Sequence, residues 1–142
     1  MKNLALLIDT NVVLDWLLDR APFAEHADQI MRLCVGGKAE GYLAGHTILN
    51  IFYITRKRFT IEERIEFGLM LCDKFQIIGI DGEMITAALS SGGARDLEDG
   101  LQMQCAFEKG LDYIITRDRD GFHNSRVKAL APEDFLSVWN AI

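Results

Sequence analysis

Basic charge, cysteine, proline and long apolar runs are all scarce in this chain, and each scarcity excludes something. Lysine and arginine number 15 against 21 aspartates and glutamates, a net charge of −6. A protein that holds nucleic acid through counterion release alone shows the opposite balance. An acidic chain still acts on nucleic acid where its carboxylates gather around a divalent metal that supplies local positive charge. The three cysteines, Cys34, Cys72 and Cys105, are odd in number, far apart and set among apolar neighbours. They encode neither a disulfide framework nor a zinc knuckle and read as core fillers. Apolar stretches break well short of the roughly 18 residues of a membrane span. Asp9 and Asn11 interrupt what would otherwise pass for a signal-peptide core, and only Lys2 precedes it. A cytoplasmic protein without membrane association is expected.

What is present is a balanced globular composition, 49% apolar and 25% charged over 142 residues. One domain spanning 1–142 is expected, with no internal repeat, low-complexity tract or linker. Leu4 to Ile8 reads as a buried strand, followed by a helix from about Val12 to Leu18 that ends at the first of the two prolines, in "DRAPF". Phe23, Ala27, Ile30, Met31 and Cys34 recur at helical spacing, and Gly36 and Gly37 supply a stop. A short strand near Gly41 to Ala44 leads into "HTILNIFYITRKR", with Thr47 placed to cap a helix and Arg56, Lys57 and Arg58 at its negative end. Thr60 and two following glutamates start another helix. "FQIIGI" is β-rich, Asp81 caps "GEMITAALSSGG", "DLEDGLQMQCAFEKG" is a helix closed by Gly110, and "DYIIT" is a strand. Val127 to Leu130 forms a last strand, and Pro132 suits the first turn of a closing helix. Short buried strands alternating with helices imply a parallel sheet covered on both faces, with the reactive edge at the strands' carboxyl ends.

Acids sit at that edge. Asp9 ends the first strand, Asp118 follows "DYIIT" by two residues, and "RDLED" opens the helix feeding that strand. Gathered carboxylates repel unless a cation sits among them, and Mg²⁺ and Mn²⁺ favour oxygen ligands of this kind. Metal-dependent phosphoryl chemistry follows.

"LLIDTNVVLD", "DLEDGLQMQCAFEKGLDYIITRDRDGF" and "APEDFL", in this order and separation, resemble the PIN-domain ribonucleases, in particular the small stand-alone bacterial type related to VapC toxins. The resemblance covers essentially the whole chain. It implies a three-layer α/β/α fold on a parallel sheet of four to five strands. It also implies that Asp9, Asp99 and Asp118 hold one or two Mg²⁺ or Mn²⁺ ions, with Asn11 and Thr116 as polar helpers to the carboxylates. The reaction implied is hydrolysis of RNA phosphodiesters to 5′-phosphate and 3′-hydroxyl ends. The implied setting is the toxin half of a toxin–antitoxin pair, a homodimer silenced by an antitoxin protein. One departure stands out. Many PIN domains carry a glutamate in the helix after the second strand, where this chain has Asn50, a neutral ligand. Either Asp96, three residues before Asp99, restores the charge from the same helical turn, or the site is weakened. Relatives of this subgroup carry Asn at this position, which favours a tolerated substitution.

Each feature also has a plainer reading. Asp9 by itself suits an N-cap, and "DLED" has the shape of a capping box with Asp96 as cap and Asp99 as its partner. Asp81 reads as a cap and Asp120 as a solvated residue or a spare ligand, while Glu98, about 100° around the helix from Asp99, reads as outside the pocket. Arg56, Lys57, Arg58 and Arg126 suit a solvated surface or RNA phosphates, with Arg95, Arg117 and Arg119 the better phosphate candidates because they flank the acids. His26, His46 and His123 show no ligand spacing. Trp16, Phe23, Phe52 and Tyr53 read as core rather than a protein-binding stripe. Among other functions, a haloacid-dehalogenase-like phosphatase needs an aspartate where Asn11 stands, and a phosphoacceptor receiver domain needs its acids in another order. The stronger alternative is a PIN fold kept as an RNA- or protein-binding module, with Asn50 as the mark of decay.

Overall fold

The structure, a computed structural model, describes residues 3–91 and 96–142. Five strands, β1 (Ala5–Ile8), β2 (Glu40–Ala44), β3 (Gln76–Ile78), β4 (Tyr113–Ile115) and β5 (Ala129–Leu130), form one sheet in the order β3-β2-β1-β4-β5. Every pairing is parallel, with Leu7 opposite both Tyr42 and Ile114. The helices are α1 (Thr10–Leu17), α2 (Ala24–Val35), α3 (Gly45–Ile54), α4 (Ile61–Lys74), α5 (Gly82–Ser90), α6 (Leu97–Glu108) and α7 (Pro132–Asn140).

Parallel strands alternate with helices because a crossover is needed to bring each new strand back in the same direction. Strand residues point to opposite faces in turn. Leu6 and Ile8 therefore join one core, with Val13, Ile30, Met31, Ile51, Leu71 and Phe135 from α1, α2, α3, α4 and α7. Leu7 joins the other, with Met84, Leu101 and Cys105 from α5 and α6. Helices on both faces of the sheet make the three-layer α/β/α architecture. The chain lays β2 and β3 to one side of β1 and β4 and β5 to the other, so the order reverses between β1 and β4. That reversal opens a crevice outside the carboxyl ends of β1 and β4, the usual place for a ligand in such sheets.

Local signals act where expected in several elements. Thr60 makes a full capping box with Glu63, at 3.1 Å and 2.9 Å, Asp81 Oδ1 accepts from the Met84 amide, and Pro132 stands in the first turn of α7. Gly37 and Gly110 take φ of +74° and +62°, which a side chain would resist.

Other expectations change. α1 starts at Thr10, two residues early, because the backbone turns immediately after the extended Asp9. Thr47 is not a cap: β2 runs straight into α3 at Gly45, and the buried Thr47 hydroxyl bonds Thr10 instead. Cys34 and Cys105 are core residues, but Cys72 lies on the outer face of α4 and is exposed. Trp16 and Phe52 are half-buried, whereas Phe23, at the start of α2, and Tyr53, on the outer side of α3, are 40% and 63% exposed. Among the described residues, no helix is long and apolar enough to cross a membrane.

Candidate active site

The aspartate that halts the first strand is buried at the switch point. Asp9 continues the β1 ladder, its amide donating to the Ile115 carbonyl at 2.9 Å. Its carboxylate does not cap α1. Gln102 Nε2 donates to Oδ1 and Thr116 Oγ1 to Oδ2, both at 2.8 Å. Thr116, fully buried at the end of β4, also accepts from the Asp118 amide at 3.0 Å, so one hydroxyl ties two of the candidate acids together.

Asp99 and Asp118 meet at Gly121. A β-carbon there would lie 2.8 Å from Asp99 Oδ2 and 2.7 Å from Asp118 Oδ2. The two oxygens thus face one small space that only a glycine leaves open. The Gly121 amide donates to the other Asp118 oxygen at 3.1 Å, which fixes the short turn 120–122 beneath the site.

Asp96 caps α6, accepting from the Glu98 and Asp99 amides at 2.8 Å and 3.3 Å. The reciprocal half of a capping box is not formed. The capping reading is thus realised, and the Asp96 charge also raises the Asp99 carboxyl.

One reading of the sequence needs correction. Glu98 is not outside the site: it accepts from Thr10 Oγ1 at 3.2 Å, and Thr10 in turn bonds Thr47 at 2.9 Å. The hydroxyl relay links the first turns of α1, α3 and α6, so three positive helix ends approach the acids. His46, without ligand spacing in the sequence, lies near the acids. It sits in the first turn of α3, feels the charges of Glu98, Asp9 and Asp96, and among the described residues finds no partner for either buried ring nitrogen. Gln102 was overlooked; its signal was a polar residue three positions after Asp99, on the same face of α6. Its Oε1 is likewise buried and without a partner among the described residues.

The helpers divide. Thr116 touches two acids. Asn11 is exposed in the first turn of α1 and Asn50 is half-buried one turn beyond His46. Among the described residues neither hydrogen-bonds an acid. Arg117 is committed elsewhere, gripping the buried Asp15 at 2.6 Å and 3.1 Å. Arg119 is exposed and lies 3.7 Å from Asp134. Arg95 lies outside the described residues.

Electrostatics register the crowding. Burial pushes the Asp99 carboxyl up to about 7, helped by Asp96, Asp9, Asp118 and Glu98 in decreasing order. Burial likewise raises Asp9, while the hydrogen bonds from Gln102 and Thr116 pull it back. Burial lowers His46 against the opposing pull of the nearby acids, which favours a neutral ring.

A sequence profile of the PIN domain matches residues 5–120. The chain belongs to the PIN-domain family. No curated protein matches its sequence. Solved structures share the fold. A chain of a toxin–antitoxin complex from Klebsiella pneumoniae superposes with a TM-score of 0.66 at 22% identity, covering 89% of this chain and 96% of that one. FitAcB from Neisseria gonorrhoeae gives 0.65 at 19%, covering 90% and 98%. VapBC-1 from nontypeable Haemophilus influenzae gives 0.67 at 13%, covering 92% and 99%.

The acids fit a hard divalent cation by donor chemistry: all are oxygen ligands, and two of them face the space above Gly121. Among the described residues no three His, Cys, Asp or Glu side chains are already drawn together around one point.

Proposed function

We infer that this PIN-domain protein is an endoribonuclease dependent on Mg²⁺ or Mn²⁺, acting as the toxin of a toxin–antitoxin pair. The observation that supports the reading is that Asp99 and Asp118 both lie against Gly121 while the Thr116 hydroxyl ties the Asp118 segment to Asp9 at the β1/β4 switch point. These three acids would hold the metal, with Asp96 and Glu98 adding charge from the first turn of α6. A bound Mg²⁺ or Mn²⁺ supplies a water acidic enough to yield hydroxide near neutral pH and a positive charge facing the phosphate oxygens.

The chain's own residues do the rest. Gln102 and Thr116 saturate the inner lone pairs of Asp9, fixing its orientation and favouring its ionised form. Thr116 sets the start of the Asp118 segment. Asp96 compensates in charge for the neutral Asn50 while its own oxygen caps α6. Beside the acids, a cleft of about 480 Å³ whose lining includes Arg119, Arg126 and Lys128 together with Asp120 offers cationic donors to the RNA backbone. Arg126 is already stacked on Phe107, its Cζ 4.4 Å from the ring centre, which holds the guanidinium in place.

The partners follow the same reading. α3 and α4 pack on each other and expose Leu49, Tyr53, Ile61, Ile65 and Leu69. This apolar surface is assigned to the homodimer. One structural relative is a toxin–antitoxin complex by description, and an antitoxin is the corresponding partner in this reading.

The test is cleavage of a pool of structured and single-stranded RNAs by antitoxin-free protein in Mn²⁺, Mg²⁺ or chelator. Asp9→Asn and Asp99→Asn variants are run beside it. Cleavage that requires metal and disappears in both variants is expected, and would show that Asn50 is tolerated. Intact RNA, together with no calorimetric Mn²⁺ binding that Asp9 and Asp99 control, would sink the reading in favour of a binding module.

A further inference from the structure

A second cleft of about 460 Å³ is lined by Pro22, Phe23, His26, Arg117, Pro132 and Glu133. It lies at the sheet's carboxyl edge, because Arg117 follows β4 and Pro132 follows β5. Its wall is built rather than incidental. Asp15, 1% exposed, grips Arg117 through Nε and Nη2 and also lies 3.5 Å from Arg20 Nη1. The doubly held guanidinium cannot swing away, and its Cζ lies 3.9 Å from the centre of the Phe23 ring. Phe23 remains 40% exposed, an aromatic face that the fold leaves in solvent although its neighbour is fixed.

Resting on the ribonuclease reading, we propose that this cleft is the subsite for one unpaired nucleobase of the RNA, adjoining the phosphate to be cut. A planar aromatic ring backed by a planar guanidinium is the surface on which a splayed base stacks. The position suits it, since Arg117 and Asp118 are consecutive and their Cα atoms are about 3.8 Å apart. The cleft and the acids thus share the sheet's carboxyl edge, and a base stacked on Phe23 belongs to a strand that runs along that edge. The rim chemistry favours a base over a second phosphate. Glu133 repels an anion but accepts a hydrogen bond from the exocyclic amine of adenine, cytosine or guanine, while the His26 ring adds a second polar group. A paired base has both faces and its pairing edge occupied, so the subsite admits single-stranded or looped RNA and excludes duplex. Arg117 is thereby a positioning element, held by Asp15 and acting through the Phe23 face.

The experiment uses a single-stranded oligoribonucleotide carrying one 2-aminopurine, mixed with the full chain in chelator, where no cleavage occurs. Fluorescence quenching reads stacking, and anisotropy reads binding. The wild type is expected to quench the probe, Phe23→Tyr to retain the quench, and Phe23→Ala to lose it with about ten-fold weaker binding, in the range of one base–aromatic stack. A duplex of the same sequence is expected to leave the fluorescence unchanged. Melting curves confirm that Phe23→Ala, at a partly exposed position, stays folded. Equal quenching by the wild type and Phe23→Ala, or no quenching by the wild type, overturns the subsite and leaves the cleft to another occupant, such as a partner peptide. The two readings fail separately: quenching without metal-dependent cleavage keeps the subsite and removes the nuclease, and cleavage insensitive to Phe23→Ala does the reverse.

Discussion

At the scale of single residues, the site turns on how Asp9 is held. A carboxylate buried at a strand end is costly unless its lone pairs are met, and Gln102 and Thr116 meet them from α6 and β4. Gln102→Leu removes one donor and leaves the volume nearly unchanged. The expected result is a roughly 10- to 100-fold loss of Mn²⁺ affinity or cleavage, the usual effect of losing a group that orients a metal ligand. Calorimetry with Mn²⁺ separates this from a folding defect. Asp99 supplies a second residue-scale test. Its folded pKa of about 7 lies above the ordinary 3.8. Between those values the metal-free folded protein retains a proton that the unfolded chain has released, so its stability falls as pH rises through that window. Melts in chelator from about pH 4 to about pH 8 should show this slope. Asp99→Asn should flatten it, and an unchanged slope in that variant would contradict the assignment. Metal reverses the sense, since a cation competes with the proton and gains as pH rises.

Among the elements, the turn after β4 is the most exacting. Gly121 has ordinary backbone angles, so alanine is tolerated by the chain itself. Its β-carbon would nevertheless press on the carboxylates of Asp99 and Asp118. Gly121→Ala is therefore expected to abolish metal-dependent cleavage, while changing the unfolding free energy of the metal-free protein by no more than about 1 kcal/mol in urea titrations. A variant that still cuts at the wild-type rate would show that this space is not where the chemistry happens. Contrast Gly41 in β2, where an added methyl meets Phe75 ring carbons at 2.6 Å and Cys34 Cβ at 2.9 Å in the packed core. There the loss falls on the fold, with about 1–3 kcal/mol of overpacking expected for Gly41→Ala in urea titrations. Elements also show which signals were legible. Caps at Thr60 and Asp81 could be read from sequence because they act within one turn. Thr47 could not, because its partner Thr10 lies 37 residues away on another helix.

For the molecule as a whole, surface apolarity becomes a statement about assembly. The exposed residues of α3 and α4 include Leu69 at 66% exposure and Ile65 at 48%. Neither contributes to the buried cores. The double variant Ile65→Glu, Leu69→Glu should shift the molar mass in light scattering from two copies to one without lowering the melting temperature appreciably. A wild type that is monomeric at high concentration would instead assign this face to something other than a second copy.

The sequence by itself determined the strands, most helix boundaries, the parallel α/β/α layering and the family, because those depend on hydrophobic periodicity, caps and spacing along a continuous stretch. It also brought Asp9, Asp99 and Asp118 to one edge, since parallel strands share a carboxyl end. Only the tertiary structure decided which neighbours those acids have. Glu98, dismissed by its helical angle, enters the site because Thr10 reaches it from α1. Arg117, favoured as a phosphate ligand, is instead locked by Asp15, 102 residues earlier in the chain. Phe23 and Tyr53, apolar by composition, stay in solvent because helical spacing gives a period but not the direction in which it faces. Hydrogen bonds and ion pairs between distant segments depend on how layers pack, and that information is spread over the whole chain rather than written at any one position.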